Sequence, residues 1–384
     1  MSPRTVLFIF GTRPEAIKLS PLVLHLKRYP ELYSVKVCVT AQHREMLDQV
    51  LGIFQIVPDF DLDVMRPGQS LYQSTASIIA GLERVFTGVK PDLAVVQGDT
   101  TTTFCGALAA FYSRVPVAHV EAGLRTWDLH QPYPEELNRV LTARMTTLHF
   151  AATKGAADNL AQEGISSNVW ITGNTGIDAV LYVCDGLQNG ELASIEREFG
   201  GRLILVTAHR RESFGEGFDR ICDAILTIAG RPDVHVVYPV HPNPNVRAVV
   251  SARLGANPNI TLLDPLDYVP FVDLMRKAYI ILTDSGGIQE EGPSLGKPVL
   301  VLREKTERPE AVTAGTVKLV GTDVSRIVAE TAKLLDQPAE YDRMSHIHNP
   351  YGDGHASERI ERACRTFLGL SERSLAHESP ERST

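Results

Sequence analysis

Three carboxylates stand where proton transfer could use them: Asp99 in QGDTTTT, Glu121 in HVEAGLRT and Glu135 in QPYPEELNR. Asp99 and Glu121 each follow a short apolar run that reads as a strand. In a doubly wound sheet their loops are neighbours on one edge. Close like charges raise the pKa of one carboxyl and so set a proton donor beside an acceptor. Taken singly, Asp99 and Glu135 equally suit helix caps or first-turn acids; chemistry is the reading of the set. Opposite charge comes from Arg13 and Lys18 in FGTRPEAIKLSP and from His209, Arg210 and Arg211 in TAHRRESFG, directly behind a strand pattern. Cations and hydrogen-bond donors there can neutralise a departing diphosphate, the alternative being a solvated rim. His241, between prolines in YPVHPNPNVR, reads more readily as a loop residue than as a ligand contact.

A second kind of chemistry is written in Tyr279 to Leu302, YIILTDSGGIQEEGPSLGKPVLVL. The run reads as strand, polar turn, helix and strand without interruption. A helix that opens at a strand's carboxyl end presents unpaired N–H groups and a partial positive charge, and Gly286 and Gly287 after Ser285 allow a phosphate close approach. A diphosphate is the natural guest. Glu290 and Glu291 follow in the expected first turn, where a carboxylate can accept from a ribose hydroxyl pair or simply complement the helix dipole. The piece Gly292 to Lys297 imitates a P-loop but is one residue short, with Pro298 in place of the metal-binding Ser or Thr, which excludes ATP hydrolysis by that motif.

The elements that must carry these residues alternate along the whole chain. Strand patterns at Thr5 to Phe10, Val35 to Thr40, Leu93 to Val96 and Val117 to Val120 are separated by helical patterns, and the alternation resumes from Leu203 onward. Helix-length connections imply parallel strands and right-handed crossovers. The expected fold is therefore α/β, with two doubly wound parallel-sheet domains and function in the loops at the strands' carboxyl ends. The segment VWITGNTGID, Val169 to Asp178, reads as the passage between them. The expected organisation is an N-terminal domain over 1–171, a C-terminal nucleotide-binding domain over 172–352, a last helix over 353–370, and a charged tail over 371–384 with the composition of disorder.

Composition narrows the function class. At 384 residues the chain is long enough for two domains, and its 38 basic against 46 acidic residues leave a net charge of −8 with signs interspersed. That balance argues against a nucleic-acid or anionic-membrane surface. Five scattered cysteines without C-x-x-C spacing suggest neither a disulfide framework nor a zinc site, and fit a reducing cytoplasm. No apolar run approaches the roughly 20 residues of a membrane span, so a soluble protein is expected. No G-x-G-x-x-G follows the first strand, which disfavours a nicotinamide-dependent enzyme.

Eleven blocks in order, FGTRPEAIKLSP, TAQHREML, QGDTTTT, HVEAGLRT, PYPEELNR, TGNTGID, TAHRRESFG, YPVHPNPNVR, LTDSGGIQEEGPSLGKPVLVLRE, TERPEAVTAGTVKLVG and NPYGDGHAS, resemble the non-hydrolysing UDP-N-acetylglucosamine 2-epimerases from about residue 5 to 368. The resemblance implies two Rossmann-like domains facing a cleft, the glycosyltransferase-B arrangement, with the last helix crossing back to the N-terminal domain. It implies reversible conversion of UDP-N-acetylglucosamine to UDP-N-acetylmannosamine without a cofactor, through anti-elimination of UDP to bound 2-acetamidoglucal and re-addition.

On that likeness Asp99, Glu121, Glu135 and His209 form the catalytic set. Arg13, Lys18, Ser285, Gly286 and Gly287 hold the substrate, Glu291 holds the ribose, and Phe271 lies near the uracil. The resemblance implies a homodimer, as in bacterial members of the family, some of which take a second UDP-N-acetylglucosamine as an activator. The matching residues are Gln42, His43, Gln69, Glu136, Arg210 and His241, with Pro67-Gly68 standing where regulated members carry a basic residue before Gln69. The competing readings are a UDP-sugar transferase of the same fold and a hydrolysing 2-epimerase.

Overall fold

In the computed structural model, residues 2–40, 44–64, 66, 68–196, 199–209 and 215–370 are described. The chain forms two units, one of Met1–Asp178 with the segment from Gly354 onward, the other of Ala179–Asp353. Gln42, His43, Arg210, Arg211 and the terminal segment 371–384 lie outside the described residues.

The first unit runs β1 (Arg4–Phe10), α1 (Arg13–Lys27), β2 (Tyr33–Val39), α2 (Arg44–Ile53), β3 (Phe60–Asp61), α3 (Leu71–Val89), β4 (Leu93–Gln97), α4 (Thr101–Tyr112), β5 (Val117–Val120), α5 (Glu135–Met145), β6 (Leu148–Ala151), α6 (Lys154–Gln162) and β7 (Val169–Ile171). Its seven strands lie in the order β3-β2-β1-β4-β5-β6-β7, every pairing parallel. Helices cover both faces, so the central strands read as unbroken apolar runs; Val6 to Phe10 are completely buried. The strand order doubles back beside β1, so the crevice at the carboxyl ends of β1 and β4 is the topological switch point where doubly wound sheets bind ligands.

VWITGNTGID is not a bare linker. Its first residues form β7, the edge strand of this sheet, and Thr175 begins α7 (Thr175–Gln188), in which the unit division falls. The Gly-Asn-Thr-Gly run reads as turn, yet Ile177, Val180, Cys184 and Leu187 behind it recur at helical spacing and are buried.

The second unit continues with β8 (Arg202–Thr207), α8 (Glu216–Ala229), β9 (Val234–Pro239), α9 (Pro244–Leu254), β10 (Ile260–Leu263), α10 (Tyr268–Lys277), β11 (Ile280–Thr283), α11 (Gly286–Ser294), β12 (Val299–Val301), α12 (Pro309–Ala314), β13 (Val317–Leu319), α13 (Val324–Asp336) and α14 (Pro338–Ser345). Its six parallel strands lie in the order β10-β9-β8-β11-β12-β13, which repeats the first unit's pattern and puts the switch point between β8 and β11. The last helix, α15 (Ala356–Phe367), belongs to the first unit. There Tyr33 Oη donates to Glu361 at 2.7 Å, and Asp178 caps its start by accepting from Ser357 N at 2.8 Å. Among the described residues no helix is long and apolar enough to cross a membrane.

Candidate active site

In the first unit the loop after β1 is tied to the loop after β4 by Glu15. Its carboxylate accepts from Gly11 N at 2.9 Å, Thr12 N at 2.8 Å, Thr100 Oγ1 at 2.6 Å and Thr103 Oγ1 at 3.1 Å. Thr12 returns a cap to Glu15 N, and this capping box sets where α1 begins. Burial nonetheless pushes the Glu15 carboxyl up. Gly11 has no room for a side chain, because a Cβ there would lie 1.9 Å from Thr40 Oγ1. Arg13, in the first turn of α1, has no side-chain partner among the described residues and stays available to an anion.

Asp99 and Glu121 stand behind adjacent parallel strands, β4 and β5. Asp99 Oδ2 accepts from Arg139 Nε at 2.8 Å and Nη2 at 2.7 Å. Despite that guanidinium its pKa is raised, chiefly by burial, with Arg139 opposing and the Glu121 charge adding to the rise. Glu121 is held differently. Lys18 Nζ lies 2.5 Å from Oε1, Asn174 Nδ2 donates to the same oxygen at 3.1 Å, and Gln97 Nε2 donates to Oε2. The backbone of Glu121 is left-handed, with φ +65°. For a residue with a Cβ this costs on the order of 1–3 kcal/mol and persists only where the surroundings enforce it, which is common at functional sites. One carboxyl is thus biased toward its protonated form while its neighbour is clasped by an ammonium, the pairing that acid–base work needs.

Glu135 opens α5 half-buried, without a hydrogen-bond or ion partner among the described residues. The next residue, Glu136, is fully committed: it accepts from Thr126 N at 3.0 Å, Trp127 N at 3.1 Å and Arg139 Nη1 at 3.0 Å. It therefore shapes the loop leading to Glu135, and Arg139 links that loop to Asp99. Gln69 accepts from Arg66 N at 3.1 Å, while the Arg66 guanidinium turns back to Asp63 O at 3.0 Å.

In the second unit the switch point is built from backbone and two buried acids, Asp284 and Glu290. Ser285 is the N-cap of α11, with its side chain uncommitted to the cap, and Gly287 is exposed at the helix start. Helix formation begins at Gly286, ahead of the expected opening at Ile288, so Glu290 lies deeper than a first-turn ribose contact requires. Arg308 Nε binds it there, and Asn349 Nδ2 donates to its backbone oxygen at 2.7 Å. Glu291 remains half-exposed, with Oε1 3.7 Å from where a Cβ on Gly287 would stand. Thr306 Oγ1 donates to Gln289 at 2.6 Å and Tyr351 Oη to Glu310 at 2.9 Å, so TERPE and NPYGDG buttress the helix that TDSGG opens.

Asp284, wholly buried, accepts from His209 N at 2.7 Å and lies 3.4 Å from His209 Nδ1. The His209 ring stacks on His241 with centroids 4.8 Å apart at 5°. Phe271 sits half-buried in the first turn of α10.

A family model described as UDP-N-acetylglucosamine 2-epimerase matches residues 25–365. The chain belongs to that family. It is 56% identical over 369 residues to the UDP-N-acetylglucosamine 2-epimerase of Escherichia coli strain K12, covering 94% of this chain and 98% of that one. The epimerase of Neisseria meningitidis, solved bound to UDP-GlcNAc, superposes with a TM-score of 0.84 at 50% identity, covering 95% of this chain and all (100%) of the other. S. aureus MnaA, solved with UDP, gives a TM-score of 0.82 at 47% identity over 96% and 98% of the two chains. Two parallel-sheet domains of the glycosyltransferase-B type are thus the fold of this epimerase-family chain.

Sequence reasoning passed over Gln97, Arg139, Asn174, Asp284 and Arg308. Each acts through a partner distant along the chain, and only the strand order brings Gln97 and Asn174 to Glu121, or Asp284 to His209. Arg308 alone carried a local sign, since TERPE is a charged cluster following the strand β12.

Proposed function

We propose that this epimerase-family chain interconverts UDP-N-acetylglucosamine and UDP-N-acetylmannosamine without net hydrolysis. The C2 hydrogen is not adjacent to a carbonyl, so its removal alone would leave an unstabilised carbanion. Anti-elimination avoids this. The C2 proton passes to an enzyme base as the C1–O bond to UDP breaks with its electron pair leaving on the diphosphate, and the C–H pair becomes the C1–C2 double bond of 2-acetamidoglucal. Re-addition of the diphosphate oxygen to C1 and of a proton to the other face of C2 completes the inversion.

The observation that carries this reading is the unlike pair of neighbouring carboxylates. Asp99 is pushed toward its protonated form and Glu121 is clasped by Lys18 in a strained backbone position. Glu135, partner-free among the described residues at the head of α5, is the third proton-transfer group. Ser285 with the N–H groups of Gly286 and Gly287 receives the diphosphate, aided by His209 poised on Asp284; Glu291 takes the ribose and Phe271 the uracil, and Arg13 in the first unit is a further substrate-binding cation. A cofactor-free route suffices because the departing and returning group is the substrate's own UDP.

Three finer features belong to the same proposal. A homodimer is supported by exposed apolar side chains on neighbouring helices of the first unit: Phe111 and Tyr112 of α4, Leu137 and Leu141 of α5. A second UDP-N-acetylglucosamine as activator is supported by the His209–His241 stack, which would pass an event at exposed His241 to a catalytic group. A cytoplasmic place of work is supported by five buried free cysteines.

Proton NMR of UDP-N-acetylglucosamine with the purified chain tests the function. UDP-N-acetylmannosamine accumulating to a constant ratio supports it. Free N-acetylmannosamine with UDP would establish the hydrolysing reaction, and an inert sugar consumed only with an added acceptor would establish a transferase.

A further inference from the structure

Asp99 and Glu121 must keep a fixed separation if one is to differ from the other in proton affinity, yet both lie in loops. Two side chains that the proposed reaction does not use connect those loops. Gln97, the last residue of β4, is 3% exposed and donates from Nε2 to Glu121 Oε2. His119, in β5 and 1% exposed, lies 2.7 Å through Nε2 from the carbonyl oxygen of Gly98, the residue before Asp99. A carbonyl only accepts, so Nε2 carries the proton. Burial pushes this imidazole down to about 4, which keeps it neutral through the physiological range.

The register pairs Val96 with His119 and Gln97 with Val120, so by strand alternation Gln97 and His119 project to opposite faces of the sheet. Each strand thus grips the other's loop, one from either face. Gly98 needs the grip, since its left-handed φ of +74° frees the turn that presents Asp99. Glu121 needs it as well, because its strained φ of +65° relaxes unless neighbouring groups oppose that. A primary amide suits Glu121 for a further reason: it donates a hydrogen bond without adding a titratable proton next to a proton-transfer group.

We propose that Gln97 and His119 form a reciprocal brace whose task is to hold the Glu121 and Asp99 carboxylates at their working separation. They are positioning residues, too buried to touch the substrate. The proposal rests on the epimerase reading, so wild-type turnover is measured alongside every variant.

Gln97→Met keeps the length and removes the donor; Gln97→Asn keeps an amide one methylene too short to reach. Both are expected to lower kcat roughly 10- to 100-fold, the loss typical of a small misplacement, while KM for UDP-N-acetylglucosamine stays within about 3-fold. Joining Gln97→Met to His119→Phe should cost less than the product of the single losses, because both remove the same geometry. Should His119→Phe not fold, the two Gln97 variants still decide. Wild-type kcat in Gln97→Met and Gln97→Asn would overturn the brace and leave the epimerase reading standing. A parallel loss of kcat, substrate affinity and melting temperature would overturn it too, reducing Gln97 to a packing role. An inactive wild type would overturn the epimerase reading, and the brace with it.

Discussion

The two units repeat one strand order, and each places its candidate site behind the first and fourth strands of its sheet, yet the sites are made of opposite materials. The first unit fills its switch point with side-chain charge: Glu15, Asp99 and Glu121 countered by Lys18 and Arg139, all wholly or largely withdrawn from water. The second leaves its switch point largely to backbone, with an open helix start at Gly286 and Gly287 and two buried acids held by protein partners, Asp284 beside His209 and Glu290 on Arg308. A doubly wound sheet supplies the place and the loops supply the chemistry. Side chains whose protonation is contested by burial suit moving a proton, whereas fixed N–H dipoles that never titrate suit holding a diphosphate through its departure and return.

The contrast can be broken most severely at Glu121. Glu121→Gln should lower turnover by roughly 10² to 10⁴, the range for a lost acid–base group, while calorimetric UDP affinity stays within about 3-fold; equal losses in both would erase the division of labour. In the second unit Gly287→Val should do the reverse. A Cβ there meets Glu291 Oε1 at an ordinary 3.7 Å, so the fold tolerates it, but the branched side chain stands where phosphate would approach the backbone. UDP affinity should fall about 10- to 100-fold, or about 1.4–2.7 kcal/mol, and unchanged affinity would move the anion site elsewhere.

A smaller effect probes the scaffold. Glu15→Leu strands the buried N–H of Gly11 and the partly buried N–H of Thr12 and should cost about 2–4 kcal/mol in denaturant unfolding, with Glu15→Gln costing less because its carbonyl can still accept both. If the two variants matched, the hydrogen-bond account of this corner would be wrong.

The smallest effect concerns pH. Glu340, on the surface of the second unit, is lowered to about 2 by Arg343 and then Lys333. A depressed folded pKa contributes stability above the unfolded value near 4.5, and that contribution disappears as pH falls through about 2. The melting-temperature gap between the wild type and Glu340→Gln should therefore be widest above about pH 5 and close toward about pH 2. In the first unit Glu15, Asp99 and Asp178 are raised by burial, so their contribution has the opposite sign and declines as pH rises. A gap that widened in acid would contradict the pairing of Glu340.

Much of the architecture could be read from the chain because parallel strands covered on both faces, such as Val6 to Phe10 or Ile280 to Thr283, leave apolar runs that no surface element shows. The adjacency of the Asp99 and Glu121 loops was legible too, since β4 and β5 are consecutive strands joined by one helix. What escaped, Lys18 apart, were the groups that define each carboxylate's state. Arg139 reaches Asp99 only because α5 packs beside α4, and Gln97 looked like an ordinary end of a strand. Glu290 resembled Glu291 in sequence, and the turn of α11 alone sends one inward to Arg308 and leaves the other half-exposed. The helix Thr175–Gln188 was hidden by the turn-forming residues at its head.

Conversion of UDP-N-acetylglucosamine in deuterated water, followed by proton NMR at C2, tests the central claim most directly. If the first unit's carboxylates take the proton and return another, the C2 signal of UDP-N-acetylmannosamine should be missing from the first turnovers, replaced by deuterium from solvent. Product that keeps its original C2 hydrogen would contradict elimination and, with it, proton transfer by Asp99 and Glu121.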